Sequence, residues 1–330
     1  MDNSQQCELE TLKAKVFTVT YSAKDVILFA LAVGFGADEE CYDRHLRYLH
    51  EEHEEFEVVP LWGLALPFWA HQNGARPLLP PFPPPLMSHM GLIPQSHLRE
   101  QEVDLQDYPV LHTFQSIEWH SPFPPASKDS SITLNLHPSF KSIQPKSIGT
   151  FVTTESIVVH QTTPICSIQS TALILGLPPD YVISHSAPQR FSNSWKSMTR
   201  TSEKGAVWME KTQKINSNVA LLYRIASGDT NHIHVLPGVT EKPLLHGLCT
   251  LAMAATFILQ QIPDGTPKTL EGHFTKPVLV NDTIHIKVWK QRETLEFDFV
   301  VYNQTKGEVC LDHGYFALKR REECGKRSRL

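Results

Sequence analysis

In the first part of the chain, hydrophobic and polar positions alternate as in strands, on either side of one helical run. Residues 15–20 alternate as in a β-strand, and residues 26–33 form an apolar helical run that ends at Gly34. Residues 76–86 contain six prolines and predict an extended loop. The alternation returns in three runs that predict antiparallel strands, at residues 132–137, 150–160 and 165–175.

The same order of elements recurs later in the chain. Residues 207–215 alternate like a strand, and residues 218–226 form a helical run that ends at Ser227 and Gly228. A long apolar stretch at residues 244–262 predicts a buried helix. Three further alternating runs predict strands at residues 283–290, 294–302 and 308–319.

The two parts can be aligned residue by residue. Residues 28–35 match residues 222–229, and residues 58–60 match residues 244–246. We interpret this as a divergent duplication with an α+β fold, in which each copy is a long helix wrapped by an antiparallel sheet. The predicted units are a first copy at residues 1–176, a surface linker at 177–206, a second copy at 207–322, which holds the candidate chemistry described below, and a tail at 323–330.

Composition narrows the possible partners. The 330 residues are 41% hydrophobic and 20% charged, and the net charge of −5 argues against a nucleic-acid surface. The six cysteines are scattered and include no Cys-x-x-Cys pair, so we expect reduced thiols. The polar amino terminus does not resemble a secretory signal, and the longest apolar stretch is too short to span a membrane.

The carboxyl terminus carries a candidate targeting signal. The last tripeptide, Ser328-Arg329-Leu330, differs from the peroxisomal Ser-Lys-Leu address by one cation for another. We therefore expect import into the peroxisome matrix by the receptor that reads such tripeptides.

The candidate chemistry lies just after the second helical run. Asp229, Asn231 and His234 fall within six residues of one another, behind Gly228, which lets the backbone bend. Gly247 comes near the start of the long apolar helix, where a backbone N–H lacks an intrahelical partner. A carboxylate, an imidazole and a free N–H are what activation of water beside a carbonyl requires.

Other interpretations of these residues stay open at this point. Asp229 could be a turn or cap residue, and His232, His234 and His246 could be metal ligands. Where the second copy has Asp229, the first copy has Phe35. An apolar side chain at that position suits a surface that accepts a hydrocarbon chain.

The sequence of residues 228–234, Gly-Asp-x-Asn-x-x-His, followed by Leu-His-Gly-Leu-Cys-Thr at residues 245–250, resembles the signature of the (R)-specific enoyl-CoA hydratases. These form the hydratase 2 group of the MaoC-like dehydratases, which includes the hydratase domain of peroxisomal multifunctional enzyme type 2. The resemblance implies a double hot-dog fold that hydrates trans-2-enoyl-CoA to (3R)-3-hydroxyacyl-CoA in fatty-acid β-oxidation, with no metal or redox cofactor.

The resemblance also implies roles for individual residues. Asp229 and His234 match the pair that activates water, Asn231 supports it, and the Gly247 N–H receives the thioester oxygen. The residues that fall where the family contacts the acyl-CoA thioester are His112, Thr113, Lys146 and Phe274. A homodimer is a further expectation, because the family commonly pairs such chains.

The chain departs from the family pattern near these residues. His232 stands where proline is usual, Thr230 stands where a bulky residue is common, and the segment between His234 and His246 is several residues shorter. The short segment favours one alternative to a hydratase, an acyl-CoA-binding protein without activity. A second alternative is a hot-dog thioesterase, in which Asp229 directs water at the thioester carbonyl instead of C3. Cys249 as a nucleophile is disfavoured, because it lies on an apolar helix.

Overall fold

The computed structural model describes residues 15–37, 39–72, 78–90, 93–99, 103–186, 205–236 and 241–320. Its strands are β1 (Phe17–Ser22), β2 (Val110–Trp119), β3 (Ser131–Lys146), β4 (Gly149–His160), β5 (Thr163–Leu175), β6 (His185–Ser186), β7 (Met209–Lys214), β8 (Gly265–Phe274), β9 (Thr283–Lys290), β10 (Glu296–Asn303) and β11 (Glu308–Arg320). Its α-helices are α1 (Ala23–Ala32), α2 (Tyr42–Leu49), α3 (Leu66–Trp69), α4 (Pro85–Met90), α5 (Ser217–Ser227) and α6 (Gly247–Gln261).

The strands form one antiparallel sheet whose two halves have the same internal order. The halves meet where β2 pairs with β8, from Phe114 opposite His273 to Glu118 opposite Thr269. Outward from this seam the first half runs β5, β4, β3, β1, and the second half runs β11, β10, β9, β7. Each strand of this order therefore has its counterpart in the other half, and β6, which pairs with β3, lies outside it. This arrangement agrees with the duplication and confirms the α+β class.

The central helix of the second half is the long one that the sequence predicts. Helix α6 has 15 residues, and almost all of its side chains are buried against β8, β10 and β11. Its apolar residues face the sheet on one side and the first half on the other. A helix that is apolar on nearly every face is expected in such a core.

The first half has a shorter helical segment at the corresponding place. A 3₁₀ helix at Pro60–Ala65 continues into α3, and both are buried against the same half of the sheet. Pro60 and Pro67 lack an N–H donor, which limits regular α-helical hydrogen bonding in this segment. One long helix was expected in each copy, and the first copy has a 3₁₀ helix and a short α-helix in its place.

The segment predicted as a linker begins against the sheet of the first half. Leu177 and Val182 are buried, and β6 pairs with β3. Residues 187–204 and the tail with its terminal tripeptide lie outside the described residues, so the proposed domain boundaries stay predictions. None of the helices in the described ranges is long and apolar enough to cross a membrane.

Candidate active site

The backbone between α5 and the next short helix brings Asp229 and His234 together. Helix α5 ends at Gly228 in the left-handed conformation, with φ +75°. A 3₁₀ turn at His232–His234 follows, and Asn231 caps it by accepting the Ile233 N–H on its side-chain oxygen at 3.3 Å. As a result the Asp229 Oδ2 lies 3.7 Å from the His234 Nε2.

A backbone carbonyl determines which nitrogen of His234 is free. The His234 Nδ1 lies 2.9 Å from the carbonyl oxygen of Leu244. Because a carbonyl can only accept, Nδ1 carries the hydrogen, and in the neutral ring Nε2, the nitrogen near Asp229, carries the lone pair. His234 is thus arranged as a proton acceptor, and the hydrogen bond from its Nδ1 to Leu244 fixes the orientation of the ring.

His246 is a third member of the site. Its ring stacks on that of His234, with centroids 3.6 Å apart and planes at 21°. Its Nε2 lies 3.4 Å from the Asp229 carbonyl oxygen and 4.0 Å from the Asp229 Oδ2. Sequence reasoning assigned His246 only as a metal ligand, because nothing in the spacing shows that the two rings stack.

The group of possible metal ligands differs from the alternative set that the sequence left open. The ligand atoms of Asp229, His234 and His246 lie within 4.8 Å of one another, whereas His232 is exposed and outside this group. Such a set of atoms could hold a metal ion. However, the lone pair of an imidazole nitrogen lies in the plane of its ring, and two nearly parallel planes 3.6 Å apart do not favour convergence on one ion.

Burial controls the protonation of all three side chains. It raises the pKa of the Asp229 carboxyl, while the nearby His234 opposes that shift. It lowers the pKa of His234, which Asp229 opposes, and it lowers the pKa of His246 well below the usual value. Both imidazoles are therefore neutral near pH 7, and His234 can accept a proton.

Gly247 opens α6 directly after His246, and its N–H makes no hydrogen bond to any described residue. The Phe274 ring lies against it: a Cβ on Gly247 would be 3.0 Å from the Phe274 Cδ1. Phe274 in turn contacts His112 across the seam, with ring centroids 4.8 Å apart. The structure thus brings His112 and Phe274 to the side of Gly247.

The other two predicted substrate contacts lie farther away. The Thr113 hydroxyl donates to the Thr171 carbonyl of β5 at 3.0 Å. Lys146 is exposed at the end of β3, the third strand outward from β2. These contacts do not join Thr113 or Lys146 to Asp229 and His234.

Phe35, which matches Asp229 in the alignment of the two copies, is buried in the first half. Phe35 is 3% exposed and packs against His45 and Tyr48, with ring centroids 5.2 and 4.9 Å away. The cavity beside it, about 190 Å³, is lined partly by charged side chains such as Asp43 and Arg44. Phe35 is itself one of the residues that line this cavity. The expected surface for a hydrocarbon chain therefore stays a prediction.

Cys249 is a buried thiol on α6. It contacts the sulfur of Met253 at 3.8 Å, and burial raises its pKa. A thiol in this environment stays protonated and is a poor nucleophile.

Comparison with protein families and known proteins finds several similar sequences. A MaoC like domain matches residues 199–309. The chain is 24% identical over 316 residues to peroxisomal multifunctional enzyme type 2 of Mus musculus, covering 93% of this chain and 37% of that protein. It is 26% identical over 297 residues to the probable enoyl-CoA hydratase 2 of Dictyostelium discoideum, covering 86% of both. The chain thus spans less than half the length of the mouse enzyme.

Solved structures confirm the predicted fold. A MaoC-like dehydratase from Phytophthora capsici superimposes with a TM-score of 0.71 at 23% identity, covering 96% of this chain and 99% of that one. A Mycobacterium tuberculosis protein described as a double hot-dog fold superimposes with a TM-score of 0.53 at 13% identity, covering 93% and 96%. The expectation of a double hot-dog fold is therefore confirmed.

Proposed function

We propose that this chain, which carries a MaoC-like dehydratase domain, is a hydro-lyase that adds water to trans-2-enoyl-CoA and yields (3R)-3-hydroxyacyl-CoA, reversibly. The observation that supports this most is the 3.7 Å approach of the Asp229 Oδ2 to the His234 Nε2. One water molecule can donate one hydrogen to each of these atoms. Water held in this way is oriented for attack on an electrophilic carbon.

In the proposed reaction the water oxygen bonds to C3 while one O–H bond breaks and its proton passes to the Asp229/His234 pair. The electron pair of the C2=C3 bond moves towards the thioester, and negative charge collects on the thioester oxygen. The pair then returns a proton to C2, which restores the carbonyl. The Nδ1–H of His234, bonded to Leu244 at 2.9 Å, keeps the ring oriented throughout.

Gly247 supplies the donor for the developing charge. Gly247 is the first residue of α6, so its N–H lies at the helix end where the helix dipole also favours negative charge. Phe274 lies on this glycine and would wall the acyl pocket, with His112 beside it. An oxyanion donor of this kind is worth about 3 kcal/mol in transition-state stabilisation.

The wider setting also belongs to the proposal. Thr113 and Lys146 would contact the CoA portion, and no metal or redox cofactor takes part.

The tripeptide Ser328-Arg329-Leu330 would bind the peroxisomal import receptor and direct the protein to β-oxidation in the peroxisome matrix. A fluorescent fusion that leaves this tripeptide at the free carboxyl terminus tests the location, and a diffuse signal would contradict it. The chain could also pair with a second copy.

Loss of enoyl absorbance on adding protein to a series of trans-2-enoyl-CoA chain lengths tests the activity, with chiral analysis of the product. We expect the (3R) product, and a loss of at least about 100-fold in kcat for Asp229→Asn and for His234→Gln. Both variants should keep the thermal unfolding midpoint within a few degrees of the unsubstituted protein.

Two assays separate the alternatives. Release of free thiol from acyl-CoA, without hydration, would indicate a thioesterase. Binding of acyl-CoA without any reaction, at every chain length, would indicate a protein that only binds acyl-CoA.

A further inference from the structure

The first half of the chain packs directly on the backbone that carries Asp229. Gly228 has no side chain, and a Cβ there would lie 2.9 Å from the Trp69 Cε2 and 3.0 Å from the Pro80 Cγ. Trp69 ends α3 of the first half, and Pro80 belongs to the proline-rich loop that follows it. Both residues are buried against this turn.

Two hydrogen bonds between the halves bracket Asp229 in sequence. Before it, the Trp69 Nε1–H donates to the Ala226 carbonyl at 3.2 Å. After it, the Thr230 hydroxyl donates to the Pro80 carbonyl at 2.9 Å. Thr230 is 7% exposed, so its hydroxyl has little access to water as an alternative partner.

The Asp229 side chain has few contacts that would orient it by themselves. Its Oδ1 accepts the Asn231 N–H at 3.3 Å, and its Oδ2 lies 3.7 Å from the His234 Nε2 and 4.0 Å from the His246 Nε2. The position of the carboxylate therefore follows the position of its backbone. A shift of the turn by a fraction of an ångström would change the distance between Asp229 and His234 directly.

Pro80 is a suitable anchor for such a turn. Its ring fixes φ, and Pro81, which follows it, further restricts the conformation of Pro80. The carbonyl that accepts the Thr230 hydroxyl is consequently held by a stiff segment. Nothing in the spacing of residues 228–234 requires a partner from the first half.

We propose that Thr230 and Trp69 are positioning residues through which the first half, which lacks the catalytic pair, holds Asp229 at the distance from His234 that the reaction needs. This inference rests on the proposed function for its kinetic readout. Thr230, where the family commonly has a bulky residue, then acts as the anchor for the proline-rich loop. Rate depends on the geometry of reacting groups to within about 1 Å.

The test compares Thr230→Val, which has nearly the same shape without the hydroxyl, with Thr230→Ser, which keeps the hydroxyl. With full-length protein well below its unfolding temperature, we expect Thr230→Val to lower kcat about tenfold with KM changed less than threefold. Thr230→Ser should retain at least a third of the unsubstituted kcat. Trp69→Phe removes the N–H donor and part of the ring, and it should also lower kcat. This variant replaces Thr230→Val in the test if Thr230→Val does not fold.

A purely structural role would lower the unfolding midpoint and leave kcat of the folded protein unchanged. A folded Thr230→Val protein with kcat within twofold of the unsubstituted one would overturn the inference. If the unsubstituted protein hydrates no enoyl-CoA, the proposed function fails, and the positioning role is decided by NMR titration of the His234 ring. We then expect the titration midpoint of His234 to move in Thr230→Val and not in Thr230→Ser, and an unmoved midpoint in both would overturn it.

Discussion

Gly228 and Gly34 occupy matching positions in the two halves, yet their surroundings differ. Both have positive φ, +75° and +101°, and each follows a helix that packs on the other half. A Cβ at Gly228 would clash with Trp69, whereas a Cβ at Gly34 would meet nothing within 4 Å. The two halves thus share the backbone turn, and among the described residues a neighbour is pressed against Gly228 and none against Gly34.

These two glycines make a matched pair for mutation. Gly34→Ala should cost about 1–2 kcal/mol of unfolding free energy, because the left-handed conformation is strained for alanine. Gly228→Ala should cost about 1–3 kcal/mol more, because its methyl must also displace Trp69. Denaturant unfolding of both variants measures the difference. Equal losses of unfolding free energy in the two variants would show that the Trp69 ring moves aside without destabilising the protein.

His246 should make stability depend on pH in the acid range. Its pKa in the folded protein is well below the usual value, because burial disfavours the imidazolium. As the pH falls through about 6.5, the unfolded chain binds a proton there and the folded protein does not, so stability falls. The stabilising contribution is fully present above that pH and is lost on acidification.

His246→Phe keeps a ring in the stack and removes this titration. Between pH 7 and pH 5.5, its loss of unfolding free energy should be about 1 kcal/mol smaller than that of the unsubstituted protein. Urea unfolding at the two pH values measures this. Parallel losses in both proteins would show that His246 is protonated in the folded state as well.

At the scale of elements, the two seam strands were the hardest to recognise from sequence. The runs that predict β4, β5 and β9 to β11 alternate clearly, but β8 and most of β2 were not predicted. In β8 the buried positions include Gly265, Pro267 and Gly272, which carry no strong apolar signal. Small residues fit here because the strand has neighbours on both sides and α6 above it.

One buried ion pair ties two strands of the first half. Lys141 lies at a bulge of β3, and its Nζ is 2.6 Å from the Glu155 Oε2 on β4. The Glu155 side chain is 3% exposed. A bulge redirects a side chain, and here it aims a cation at a buried carboxylate.

Lys141→Met should destabilise the protein by about 3 kcal/mol, because it leaves the Glu155 charge buried and unpaired. The double variant Lys141→Met/Glu155→Leu removes both charges and should recover most of that loss. Guanidinium unfolding of the single and double variants measures both values. A loss of under 1 kcal/mol in the single variant would show that water reaches the Glu155 carboxylate and solvates it when Lys141 is removed.

At the scale of the whole molecule, the chain is a pseudo-dimer with one candidate site. The seam joins equivalent edges of two similar half-sheets, but the second half has Asp229 where the first half has Phe35. In the first half the matching Phe35 is covered by His45 and Tyr48. The backbone is therefore similar in the two halves, whereas the side chains at these matching positions differ.

Titration with a non-hydratable acyl-CoA analogue should consequently saturate at one equivalent per chain. Isothermal calorimetry with the intact protein gives the ratio, and Asp229→Asn should keep it. Two equivalents per chain would place a second acyl-CoA site in the first half.

Much of the candidate site is determined by local sequence. Asp229, Asn231 and His234 are neighbours along a chain that bends at Gly228, so backbone geometry alone brings them near one another. The alternation of apolar residues likewise predicted most strands and the α+β class, because one face of each strand must be buried.

Only the tertiary structure decided how these residues work together. The Leu244 carbonyl selects the His234 tautomer, His246 stacks on that ring, and Trp69 and Pro80 brace the turn from the other half. The two contacts from the other half join residues about 150 positions apart in the chain. Spacing in sequence holds no distance information at that range, because such contacts exist only once the two half-sheets have joined at their seam.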